Sequence, residues 1–257
     1  MSITASTIVS QMSAALDAEG SDYYTFANDY MPAINYGIDQ VIRVINSKFG
    51  GTKFPEESLR ELVQARVWRT NVYGRISMPS TTWSVLGVYP EIEYDVHTTG
   101  DALLPTAPAN KYQSDIITNA VFIRSNYTAK RLNPDEFDDV DSNPLAAGYG
   151  TGKSVCIKEY AWCEMETYGL NNADDWYPSG KFEIAIKPIL DQKIVGLRIL
   201  KNPTKVTATN SVLEFPISMQ TIITDYALLY IAIKQGDHTN VYGVAVDELD
   251  KQLLMAL

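Results

Sequence analysis

Residues 182–200 read FEIAIKPILDQKIVGLRIL. Phe182, Ile184 and Ile186 alternate with Glu183, Ala185 and Lys187; after the short Leu190-Asp191-Gln192 link, Val195, Leu197 and Ile199 repeat the alternation. Successive side chains of a strand leave opposite faces, so a period of two marks a half-buried strand. The two runs predict an antiparallel hairpin. Similar runs at 83–89, 116–124, 155–167 and 206–215 predict further strands, making residues 81–215 a β-rich region.

On either side of this region the period changes. Ile34, Ile38, Val41, Ile45 and Phe49 are spaced four, three, four and four apart, which places them on one helical stripe. Asp29 stands where an N-cap belongs, Pro32 falls in the first turn, and Gly50-Gly51 ends the pattern. An earlier helix is expected over 4–18, with Ile8, Met12, Ala15 and Leu16 on one face and Gly20 as its stop. A third is expected from Pro55-Glu56-Glu57, burying Leu59, Leu62, Val63 and Val67. Beyond Pro216, Ser218 can cap a helix carrying Ile222, Tyr226, Leu229 and Ile233, with Gly236 closing it; Tyr242, Val246, Leu249 and Leu253 mark a last one. The fold expected is α+β: a helical bundle from the N- and C-terminal segments, 1–80 and 216–257, around an inserted antiparallel β region at 81–215.

Composition narrows the function. The 257 residues carry a net charge of -10, and no Lys/Arg cluster exceeds Lys130-Arg131. A chain that gripped the DNA backbone would need clustered cations, so the balance argues against a DNA-reading role. Cys156 and Cys163 form neither a disulfide framework nor a zinc ribbon. The opening MSITASTIVSQMSAALDAEG lacks a basic segment and a long apolar core, and is not read as a signal peptide. Asn126-Tyr127-Thr128 fits a glycosylation sequon by chance in that setting.

Four features invite a chemical reading. Ala147-Gly148-Tyr149-Gly150-Thr151-Gly152-Lys153-Ser154 ends like a phosphate-binding loop, but Ala147 replaces the required glycine. Acids precede it, and a strand-like run instead of a helix follows. Asp139, Asp141 and Asn143 open like a calcium loop, yet Pro144 and Gly150 occupy the positions of its turn glycine and bidentate glutamate. His97 and His238 are too few for a zinc site of three protein ligands. The 16 Tyr and 4 Trp suit wet or assembled interfaces. The long polar stretches 98–114 and 133–153 are read as places where subunits touch. No residue is assigned as catalytic, cofactor-binding or metal-ligating.

Three segments carry a family likeness: Tyr24-Thr25-Phe26-Ala27-Asn28-Asp29-Tyr30 running into Ile34-Asn35-Tyr36-Gly37-Ile38; the 182–200 pair with Lys187-Pro188 closing its first strand; and Glu214-Phe215-Pro216-Ile217 leading into Tyr226-Ala227-Leu228-Leu229-Tyr230-Ile231-Ala232 and Lys234-Gln235-Gly236-Asp237. In these segments the chain resembles the head-to-tail adaptor, or connector ring, proteins of short-tailed phages, including the crAss-like group. The likeness covers about half of the chain, and the middle stretch around 98–167 has no counterpart. It implies a non-enzymatic virion subunit assembled in the host cytoplasm. It implies too a homo-oligomeric ring, commonly of about twelve copies. The ring would bind the portal protein on one side and the next tail or ring protein on the other. Genomic DNA would slide through without sequence-specific contact, past a lumen whose acidity keeps it from sticking. The alternatives are another virion part, such as a tail or capsid accessory protein, and, last, a nucleotide-binding enzyme.

Overall fold

The computed structural model describes residues 3–16, 23–49, 55, 58–96, 114–118, 120–125, 127–142, 159–165, 182–235 and 241–257. In chain order, β1 (Ile3–Thr4), α1 (Ala5–Ala15) and α2 (Met31–Phe49) come first. The strands β2 (Val63–Arg69), β3 (Arg75–Met78), β4 (Thr82–Tyr89), β5 (Ile92–Val96), β6 (Asp115–Ile116), β7 (Ala120–Ser125) and β8 (Lys130–Arg131) follow. After them come α3 (Pro134–Asp138), β9 (Ala161–Met165), β10 (Phe182–Lys187), β11 (Ile194–Lys201), β12 (Val212–Leu213), α4 (Gln220–Lys234) and α5 (Val241–Ala256). Helices and mainly antiparallel sheets coexist, so the class is α+β. Two compact units arise: Met1–Leu62 with Pro203–Leu257, and Val63–Asn202.

In the first unit α2 buries Ile34, Ile38, Val41 and Ile45, the stripe expected of it. Its entry differs from expectation. A π-turn over Phe26–Tyr30 precedes it, and Thr25, not Asp29, supplies the cap by accepting from Asn28 N–H at 3.3 Å. The Asp29 carboxylate instead accepts from Thr25 N–H and from Lys234 Nζ, at 2.9 and 2.8 Å. Lys234 in particular holds that carboxyl below its ordinary range. α2 packs on α4 at Gly37, where a Cβ would stand 2.7 Å from the Ile223 carbonyl oxygen. α1 starts at the Thr4 cap and buries Ile8 and Met12. Ser218 caps nothing: it lies in a 3-10 turn, Ile217–Met219, ahead of α4.

The expected strand at 206–215 shrinks to β12, paired with β1. The Asn35 side chain supplies the reason. It donates to Val206 C=O at 3.0 Å and accepts from Val206 N–H at 2.8 Å, taking both groups that a ladder would use. The Ser211 hydroxyl accepts from Thr207 and Ala208 N–H and folds the next residues into a turn.

Two further expectations fail. No third helix forms among the described residues: Leu59 and Leu62 are buried in a turn at the end of the first unit's opening segment, and the following residues form β2 of the second unit. β2 is a central strand whose Trp68 and Val67 belong to two separate core clusters, which suits its β-branched and aromatic residues. The 182–200 hairpin is also absent. β10 pairs with β3 and β9 in the sheet β3-β10-β9-β8, whereas β11 pairs with β4 and β2 in the sheet β4-β11-β2-β6. Ile184 and Ile186 meet Val195, Leu197 and Ile199 across one core cluster, so the two strands face each other instead of sharing a ladder. Periodicity reports which face is buried, not which strand is the neighbour.

The outer faces are covered as well. Phe137 of α3 packs with Ala161, Cys163 and Ala185, and the β5-β7 ribbon brings Tyr94 and Phe122 against Val67 and Ile117. Gly196 makes room for that ribbon, since a Cβ there would meet the Phe122 ring at 2.8 Å. The expected strand 116–124 is broken: β6 pairs with β2, and β7 with β5. Part of the polar stretch 133–153 is helical, with Asn133 and Glu136 forming a capping box at the start of α3.

Candidate interaction surface

Two crossings between the sheets lie side by side in the second unit, at 70–74 from β2 to β3 and at 188–193 from β10 to β11. They brace each other. Thr70 N–H donates to Lys193 C=O at 2.9 Å, the Thr70 hydroxyl donates to Leu190 C=O, and Lys193 N–H donates back to the Thr70 oxygen at 3.0 Å. Buried Asn71 accepts from Tyr73 N–H and Arg75 N–H, both at 2.9 Å, and its own carbonyl accepts from Gln192 N–H. Gly74 has φ +67°, and a Cβ there would stand 3.0 Å from Leu190 N and 3.1 Å from Ile186 O. Only glycine tolerates both the dihedral and the space.

From this rigid base two large apolar side chains project, Tyr73 at 56% exposure and Ile189 at 61%. At this tip the charges are compensated: Lys187 Nζ donates to Phe137 C=O at 2.8 Å and lies 4.7 Å from the centre of its ring, and Lys193 is offset by Asp191. Beneath it Arg75 pairs with buried Glu183 at 3.4 Å, and Ser77 donates to the same carboxylate at 3.2 Å.

The first unit carries an apolar groove. An open groove of about 530 Å³ is walled by Leu16 after α1, by Leu228, Leu229 and Ala232 of α4, and by Leu249 of α5. Asp225 and Glu248 line it too. Glu248 reaches Lys251 only at 3.8 Å. Burial pushes the Asp225 carboxyl above its ordinary range. α4 is apolar around much of its circumference, so after packing on α1, α2 and α5 it still presents leucine to this groove.

A polar cleft of about 340 Å³ lies by Glu91, Glu93, Arg124 and Ser125. Its groups are engaged locally: Tyr160 donates to Glu91 at 3.0 Å, and Arg124 pairs with Glu93.

The glycine-rich 147–154 stretch, His97, His238, Cys156 and Asn143 lie outside the described residues. Asp139 and Asp141 fall in a 3-10 turn, Asp139–Ser142. Among the described residues no three His, Cys, Asp or Glu side chains gather as metal ligands. Cys163 is buried, its thiol pushed up by burial and by Glu164, which makes it a poor nucleophile. Arg131 pairs with Glu164 at 3.1 Å and lies over Trp162 at 5.2 Å. No described helix is long and apolar enough to cross a membrane. Sequence reasoning missed the tip. The turn residues Asn71 and Gly74 were its visible trace, but without the partner strands nothing linked them to Ile189. Compared with models of known protein families and with curated proteins, the chain matches none.

Proposed function

We propose that this chain is a structural subunit of a phage head-to-tail connector ring. Copies of it would join the portal protein to the next tail or ring protein at the head–tail junction of the virion, and the genome would pass through. The helices of the two chain ends would form the adaptor bundle, and Val63–Asn202 the insertion. The observation that carries the reading is the fastening of the chain ends. Arg43 of α2 holds Asp250 of α5 with two contacts of 2.9 and 3.0 Å, and Tyr226 of α4 donates to the same carboxylate. The segments that resemble the adaptor family at opposite ends of the sequence thus belong to one unit. The overall acidity suits a wall past which DNA slides.

Electron microscopy of the protein mixed with its cognate portal tests the reading. Added density capping one end of the portal ring is expected. A portal that stays bare, with the protein found elsewhere in the virion, would move it to the tail or capsid accessory class.

A further inference from the structure

We draw no further inference here: the strongest candidate, the open apolar groove of about 530 Å³ walled by Leu16, α4 and α5 in the first unit, carries none, because nothing among the described residues shows what covers it.

Discussion

Tyr226, fully buried in α4, donates its phenol proton to Asp250 of α5. Arg43 of α2 approaches the same carboxylate from the solvent side, half exposed itself. Three helices drawn from both ends of the chain therefore share one polar contact. Burial first, and then the bond to Asp250, raise the phenol far above the ordinary tyrosine range.

Tyr226→Phe should cost about 1–2 kcal/mol, because it removes a hydrogen bond to a charged acceptor inside a packed interface. Urea unfolding monitored on helix content reads the loss. The sign with pH follows from the direction of the shift. The unfolded phenol ionises near pH 10, while the folded one keeps its proton. The stability contributed by Tyr226 is complete below that pH and is lost as pH rises through the raised value. An alkaline-side stability profile that is the same for parent and Tyr226→Phe would contradict the assignment.

Gly37 decides how closely α2 and α4 approach. Alanine favours a helix by up to about 1 kcal/mol over glycine, but here its methyl would meet the backbone oxygen of Ile223 at 2.7 Å. Backbone cannot step aside as a side-chain tip can. Gly37→Ala should therefore destabilise by about 1–3 kcal/mol despite its better propensity. A rise in melting temperature would show that the helices separate at little cost.

Asp225 should weigh against the folded state when it is charged, because burial raises its carboxyl. That burden is absent at low pH and sets in as pH rises through the raised value. Asp225→Asn should stabilise the subunit at neutral pH, by about 0.5 kcal/mol for a half-exposed site. A variant that melts lower than the parent at neutral pH would show that the buried charge carries no such burden.

How far the fold could be read from sequence depends on which physical quantity the pattern records. The α2 stripe was legible because 3.6-residue periodicity needs no knowledge of partners. The strands at 182–187 and 194–201 were legible as strands for the same reason. Their pairing was not, because Ile184 and Val195 alternate alike whether they share a ladder or face each other across a core. Leu59, Leu62, Val63 and Val67 matched a helical spacing by coincidence, and the tertiary demand for a strand whose second half, Val67–Arg69, is buried on both faces overrode it. The tip was hidden for a related reason: Gly74 and Ile189 meet only through the crossing of two sheets. The groove was half visible, since Leu228-Leu229 stand in the α4 sequence, but the acids that give it a sign are ordinary surface residues when read alone.

The tip separates scaffold from presented residues, and that separation can be measured. Gly74 holds φ +67° with Leu190 N and Ile186 O at its back. Gly74→Ala would force an L-residue into a left-handed conformation, costing about 1–2 kcal/mol, and would press a methyl on backbone as well. The β unit should lose about 2–3 kcal/mol in total. Ile189→Ser, at a position 61% exposed, should change stability by less than about 0.5 kcal/mol. If instead Ile189→Ser destabilises the fold as much as Gly74→Ala does, Ile189 is packed in the native chain and is not a presented residue. If Gly74→Ala is neutral, the two crossings slide past each other, and the rigidity ascribed to the tip is lost.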